Sequence, residues 1–145
     1  MRESIGASFV LYAIVIFVSI FCLFFIGGLS YTKAFKIKNR IIDIIEENEC
    51  YDGGGCSSKE QINQALKEAG YLVKKGPADC GNIRNKKGAT VLTQGSNGYR
   101  YCVYKVDTKT GSYYGAVAFM YFQIPVIHAN LEFPVYGETK VIREY

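Results

Sequence analysis

The sequence lacks the motifs of the common catalytic and metal-binding sites. It contains no Trp and a single histidine, His128. No Gly-x-Ser-x-Gly, His-Glu-x-x-His or Cys-x-x-Cys motif occurs, and the loop that contains Gly53, Gly54 and Gly55 lacks the Lys-Ser/Thr of a P-loop. A lone histidine behind a proline-broken strand is typical of a turn or surface residue. The sequence therefore predicts a protein that is not an enzyme and has no catalytic residues, no cofactor and no metal site.

Charge is absent from a long stretch near the amino terminus. No Asp, Glu, Lys or Arg occurs between Glu3 and Lys33, and Ile5–Ile26 holds fifteen Leu, Ile, Val and Phe residues. A bilayer core of about 30 Å needs roughly 20 apolar helical residues. Inserting these fifteen side chains contributes roughly −5 to −9 kcal/mol. We predict that residues 1–30 form a membrane anchor.

A cleaved secretory signal is the alternative for this stretch. The apolar part of such signals usually spans about 7–15 residues and ends at a small-residue cleavage site. Here the apolar run is longer and leads through Gly27 and Gly28 into a new helical pattern. A retained, single-pass anchor in the cell membrane is favoured, with lipid as its immediate partner.

The segment after the anchor has the pattern of an amphipathic helix. Ile37, Ile41 and Ile44 recur at helical spacing, and a second series runs alongside. That second series consists of Tyr31, Phe35, Lys38, Ile42 and Ile45. We predict one helix from about Ser4 to Glu47, with residues 31–48 as an amphipathic extension and Gly27–Gly28 as a point where it can kink.

Four cysteines follow the helix: Cys50, Cys56, Cys80 and Cys102. An even number in a small domain beside a membrane predicts two disulfides and an oxidising, extracytoplasmic compartment. Three pairings are possible, of which we favour Cys50–Cys56 and Cys80–Cys102 because each joins neighbours along the chain. A zinc site is the alternative, but the spacings and the single histidine disfavour it. The remaining Cys22 lies inside the anchor, where it reads as a small apolar residue.

The basic residues conflict with this orientation. Lys33, Lys36, Lys38 and Arg40 follow the anchor, whereas only Arg2 precedes it. Lys and Arg beside an anchor normally stay in the cytoplasm, so this count alone places the domain inside. We give the cysteines more weight, since a short tail with its own export route can escape the counting rule. The net charge of +4 is too mild and scattered to indicate nucleic acid as a partner.

Residues 49–145 predict a small extracytoplasmic α+β domain. A short helix begins at a capping box of Ser57 and Glu60, presents Ile62 and Leu66 on one face together with Ala65 and Ala69, and ends at Gly70. It is expected to pack on a sheet. Antiparallel strands are predicted at 89–93, 99–106 and 112–124, the last in the centre of the sheet, with an edge strand at 137–142. The fold prediction is a long amino-terminal transmembrane helix, one short helix and an antiparallel sheet of four or five strands.

Two parts of the chain resemble a known family. The start Gly6–Val10 with Gly27–Phe35, and the ending Phe122–Pro125 with Phe133–Lys140, are similar to the TadE-like minor pseudopilins of tight-adherence pili, of the Gram-positive type. The resemblance implies a pilin-like fold and a structural or adhesive subunit of a type IV-pilus-like filament. Its apolar helix would be the membrane anchor before assembly and the contact with other pilin-like subunits afterwards.

The resemblance also implies a processing site, from which the chain departs at one position. Prepilin-type cleavage would fall after Gly6 and leave Ala7 as the first residue. The family usually has a glutamate about five residues further on, but this chain has Leu11 there, and Glu3 precedes the cut. The chain is then either an unusual minor subunit or a protein that is not cut. The alternative function is a single-pass protein whose outer domain binds an unknown surface ligand.

Overall fold

The computed structural model describes residues 2–70, 80, 88–92, 101–124 and 129–143. These residues form an α+β fold of two helices and one four-stranded antiparallel sheet, as predicted. The elements are α1 (Arg2–Asn48), α2 (Ser58–Glu68), β1 (Ala89–Val91), β2 (Tyr101–Thr108), β3 (Gly111–Ile124) and β4 (Ala129–Glu138).

The first helix is continuous from the anchor into the domain. α1 spans 47 residues and passes through Gly27 and Gly28 without a break in its helical assignment. It ends at Asn48, whose side-chain amide donates to the carbonyl of Ile44 (2.8 Å). Glu49 then takes a left-handed conformation, with φ of 54°, which turns the chain out of the helix.

Both predicted stripes on α1 are buried toward the carboxyl-terminal end of the helix. Ile37, Ile41 and Ile44 of the first stripe are buried, as are Ala34 beside it and Lys38 and Ile45 of the second. Nearer the amino terminus, Tyr31 and Phe35 of the second stripe are 51% and 41% exposed. The domain therefore covers only the last third of α1, because the sheet and α2 meet this helix beyond Lys33.

The strand order is β1-β2-β3-β4, and every pair is antiparallel. A two-residue turn, Lys109-Thr110, joins β2 to β3 between Thr108 and Gly111. β3 is an interior strand, and consecutive side chains from Tyr114 to Phe119 are buried. Burial on both faces explains why this strand reads as an unbroken apolar run.

The prediction of the last strand was wrong. The edge strand is β4 (Ala129–Glu138), and beyond it Ile142 makes an isolated bridge to Ser112. Pro134 lies within β4 opposite Phe119. An edge strand tolerates proline because the missing N–H can fall on the unpaired side.

The predicted second helix is present, but its capping box is not. Ser57 occupies the cap position without a side-chain capping bond, and its hydroxyl instead accepts from the Gln61 side chain (2.9 Å). The helix stops as predicted at Gly70, where φ is +60° and the N–H donates to the carbonyl of Lys67 (3.1 Å). Among the described elements, α2 packs on α1 rather than on the sheet.

Both predicted disulfides are present, and Cys50 of the first lies two residues beyond α1. The structure joins Cys50 to Cys56 and Cys80 to Cys102, with Cα–Cα distances of 6.1 and 5.8 Å. These are the favoured pairs. The first bridge closes a loop that includes Gly53, Gly54 and Gly55, all three with positive φ. Such a loop needs glycine, because side chains rarely adopt this conformation.

A buried pair of tyrosine hydroxyls connects the two disulfide regions. Tyr51, beside Cys50, and Tyr101, beside Cys102, are almost fully buried, and their hydroxyl oxygens lie 3.1 Å apart. Burial, followed by the bond to Tyr101, raises the pKa of Tyr51, and burial likewise raises the pKa of Tyr101. Both phenols therefore stay protonated, and each satisfies the other.

Tyr51→Phe should destabilise the domain by about 1–2 kcal/mol, because it leaves the Tyr101 hydroxyl buried without its partner. Replacing both tyrosines by phenylalanine should cost less than the sum of the two single changes, since no polar group then lacks a partner. Denaturant unfolding of the two single variants and the double variant measures this coupling. Additive effects would contradict the assignment.

Candidate functional site at the exposed helix

The first half of α1 is the most unusual surface of this molecule. Every side chain described from Ile5 to Ile26 is exposed. Within the described part of the chain, α1 is the one helix long and apolar enough to cross a membrane. A water-soluble domain rarely exposes an apolar patch larger than a few hundred Å². This surface therefore fits lipid or other apolar helices.

Two hydroxyls of α1 bond to the helix's own backbone. The hydroxyl of Ser19 donates to the carbonyl of Val15 (2.8 Å), and that of Thr32 donates to the carbonyl of Gly28 (2.9 Å). A hydroxyl without a partner is costly in hydrocarbon, and bonding back to residue i−4 removes that cost. The helix can therefore enter an apolar environment without stranding these groups.

The predicted processing residues lie near the start of this helix. Gly6 and Ala7 are both exposed, and a Cβ on Gly6 would meet no atom within 4 Å. Leu11, at the position where the resembling family has a carboxylate, is also exposed. The helix surface around Gly6 and Ala7 is therefore exposed. The side chain of Glu3 is outside the described residues.

The basic residues behind the anchor do not form one free patch. The Lys33 ammonium donates to the carbonyl of Gly70 at the end of α2 (2.6 Å). Lys38 is buried, with its ammonium 4.0 Å from the centre of the Phe35 ring. Lys36 and Arg40 are exposed. Lys33 thus contacts the end of α2, and the side chain of Lys38 lies against Gly137 of β4. Sequence analysis missed both contacts because Gly70 and Gly137 are distant in sequence.

A second missed contact fixes the end of the chain to α1. The carboxylate of Glu46 accepts from the backbone N–H of Lys140 (2.9 Å), ninety-four positions further along. The tyrosine pair was also missed, although each tyrosine adjoins a cysteine of a different bridge. That adjacency was the available signal.

An open cavity of about 440 Å³ lies between α1 and α2. Its floor is apolar and includes Ile41 and Leu66, and the charged residues Lys36, Arg40 and Glu68 lie around it. Its lining contains no Ser, Thr, Cys or His. The cavity can accept an apolar group beside a charged one.

Titratable residues are not gathered into a metal site in the regions the structure covers. No group of three or more His, Cys, Asp or Glu that could hold a metal occurs among the described residues. His128 lies outside them. The exposed helix and the four disulfide cysteines are therefore the features from which function can be argued.

No family model, curated protein or solved structure matches this chain. The functional argument accordingly rests on the exposed apolar helix, its junction with the domain and the disulfides.

Charge placed in the middle of the exposed helix should prevent its insertion. Ile14→Lys combined with Val18→Lys puts two ammoniums near the bilayer centre, each costing about 2.5–3.5 kcal/mol. We expect most of this variant to be released from membranes by alkaline carbonate, unlike the wild type. The control carries the same added charge at the two ends, as Ile5→Lys with Leu29→Lys, and should remain membrane-bound. Equal retention of both variants would contradict an anchor centred on this segment.

Proposed function

We propose that this chain is a minor pilin-like subunit of a type IV or tight-adherence-like pilus or secretion filament, similar to the TadE-like pseudopilins. In this proposal the subunit is anchored in the cell membrane before assembly and has a structural or adhesive, non-catalytic function. The observation that carries it is α1, whose exposed apolar half continues without a break into the core of the domain.

The continuity of α1 suits a subunit that must leave the bilayer. When such a helix is extracted, its apolar surface needs other apolar helices in place of lipid, or it is exposed to water. The first half is free of its own domain, so neighbouring subunits can surround it. The second half holds the domain through Ile37, Ile41 and Ile44, so the domain would move with the helix.

The disulfides support an extracytoplasmic domain. Such bonds persist in oxidising compartments and are rare in the cytosol. The count of basic residues after the anchor opposes this orientation, and we give the disulfides more weight. We therefore propose that the carboxyl-terminal domain faces outward.

Leu11 supports a minor rather than a repeating subunit. In the resembling family a carboxylate near this position is thought to meet the amino-terminal charge of a neighbour. Leaving a buried charge without its partner costs several kcal/mol. A chain with leucine at this position lacks that acceptor, and so suits a tip or initiation position better than a shaft.

A second candidate is an anchored binding domain that joins no filament. The cavity between α1 and α2 favours it, since an apolar floor with Lys36 and Arg40 at its side can hold an amphipathic ligand. The two candidates share the anchor and the orientation and differ in assembly.

The orientation predicts where the β2–β3 turn is accessible. Thr110 is exposed in that turn, so Thr110→Cys should react in intact cells with a membrane-impermeant thiol reagent. The four disulfide cysteines should give no free thiols by mass spectrometry of unreduced protein. Labelling of Thr110→Cys only after lysis, with free thiols at the four positions, would place the domain in the cytoplasm.

The minor-subunit proposal predicts a low copy number. In purified filaments, quantitative mass spectrometry should find this chain well below the major subunit, and the assembly complex should contain it too. Abundance near that of the major subunit would overturn the minor position. Absence from both filament and assembly complex would favour the anchored binding domain.

A further inference from the structure

The last strand of the sheet runs along α1. Near the end of the helix, the carboxylate of Glu46 accepts from the backbone N–H of Lys140 (2.9 Å). Closer to the anchor, a Cβ on Gly137 would overlap with the side chains of Lys38 and Ile42. The chain from Lys140 back to Gly137 thus covers about 10 Å beside about 9 Å of helix, so it is nearly parallel to the axis of α1. β4 therefore starts at the end of the sheet nearer the anchor.

Heights along the axis of α1 place the start of β4 beside the end of the apolar run. Phe133 lies four residues before Gly137, about 13 Å along the strand, which is about the height of Tyr31. Ala129 lies eight residues before Gly137, about 26 Å along the strand, and comes within about 5 Å of the height of Ile26. An inclination of about 40° between strand and helix would leave Ala129 within about 5 Å of that height. The end of the hairpin formed by β3 and β4 is therefore level with the end of the apolar run.

We propose that this end of the hairpin rests in the membrane surface and gives the domain a lipid contact of its own, in addition to the anchor. The described side chains that make this contact are Tyr31 and Phe35 of α1, Met120 of β3 and Phe133 of β4, which we call the interfacial surface. The inference rests on membrane insertion, one part of the proposed function. It holds for both candidate functions and for either orientation of the domain.

The interfacial surface is apolar and lies at the height of the lipid headgroups. Tyr31 is about 8 Å along the helix from Ile26, and a headgroup layer is about 5–8 Å thick. The ring of Phe35 stacks on that of Tyr31 at 6.2 Å, and the two side chains are 41% and 51% exposed. Phe133 is 47% exposed, and its register partner Met120 is half-buried on the same face of the sheet. Aromatic side chains concentrate at this level of a membrane.

The sheet and α1 are open toward each other at this height. Side chains two and four residues apart on a strand share a face, so Phe133 is on the face of β4 that meets α1 at Gly137. At Gly137 the helix covers that face, whereas at Phe133 it does not. Tyr31 and Phe35 on the helix are exposed at the same height. Lipid entering from below would remove these rings from water, which the hydrophobic effect favours.

Charge is absent from the hairpin over a length that the described core explains only in part. No Asp, Glu, Lys or Arg occurs in Thr110–Leu131. Burial accounts for Tyr114–Phe119, but the uncharged sequence continues for twelve residues beyond Phe119. Edge strands that face water usually carry charged residues, whereas a surface at the boundary of headgroups and acyl chains is apolar. Glu132, the next charged residue, alternates to the other face of β4.

The anchor makes lipid the occupant of this surface. Because α1 holds the hairpin at the height of the headgroups, the contact forms within one molecule and needs no separate encounter. A few side chains are then sufficient, although the same surface alone would bind a membrane weakly. The contact would also fix which side of the domain faces the bilayer.

The absence of Trp from the chain allows single-Trp reporters of depth. Phe133→Trp and Val141→Trp are a matched pair, because the native side chains are 47% and 48% exposed. Val141 follows Lys140, which is held at Glu46, about 30 Å along the helix from Ile26. Only the first reporter is therefore at the height of the headgroups.

The test uses the full chain reconstituted in phosphatidylcholine vesicles. A lipid with a nitroxide on its headgroup, which quenches at short range, should lower the emission of Phe133→Trp about twofold and that of Val141→Trp by less than about a tenth. Acrylamide, which quenches from the water, should affect Val141→Trp more than Phe133→Trp. Equal quenching of the two reporters by the lipid, or no lipid quenching of Phe133→Trp, would overturn the proposal.

A reporter inside the anchor separates this inference from the proposed function. Phe17→Trp should be quenched by phosphatidylcholine that is brominated in the middle of its acyl chains, because the residue lies near the middle of the apolar run. Failure to quench Phe17→Trp would overturn the anchor and the hairpin contact together. Quenching of Phe17→Trp without headgroup quenching of Phe133→Trp would overturn the hairpin contact alone.

Discussion

The packing of the isoleucine face of α1 is the interaction on which the rest of the structure depends. Ile37, Ile41 and Ile44 lie between α2 on one side and the sheet on the other. Fully burying one such side chain is worth about 1.5–3 kcal/mol. Without this face, α2 and the sheet would lose their shared support, because among the described elements α2 packs only on α1. The exposed half of the helix is positioned by the same packing.

Polar contacts then define where the domain sits on this helix. Lys33 holds the end of α2, and Glu46 holds the backbone at Lys140. At the far end of α1, Tyr51 and Tyr101 join the regions of the two disulfides. Each contact joins segments that are distant in sequence, so together they keep the domain in one position along α1.

The helices and the interior position of β3 were predictable because their signals are local. Each of these predictions depended on neighbouring residues alone. The signals were the isoleucine spacing in α1, Gly70 after α2 and the apolar run of β3. The last strand was misjudged because a proline at an edge position looks the same in sequence as a proline that ends a strand. The cap at Ser57 failed for a similar reason, since the Gln61 side chain competes for the same hydroxyl.

The fate of the basic residues was not predictable from sequence. Lys33 and Lys38 look alike beside Lys36 and Arg40, yet one bonds a distant carbonyl and the other is buried on an aromatic ring. The environments of Lys33 and Lys38 differ only once α2 and β4 have packed on α1. In the candidate site, the length and apolar character of the anchor were predictable, whereas its junction with the domain was not.

Because α1 is one unbroken helix, a tilt of its amino-terminal half would move the domain at its other end. A helix of 47 residues is about 70 Å long, of which about 30 Å is long and apolar enough to lie within the hydrocarbon of a bilayer. Each degree by which the embedded part tilts would therefore move the far end by about 1 Å. Membrane-spanning helices commonly tilt by about 20°, and the angle follows local bilayer thickness. Changes in the thickness of the membrane would thus be converted into displacements of the domain above it.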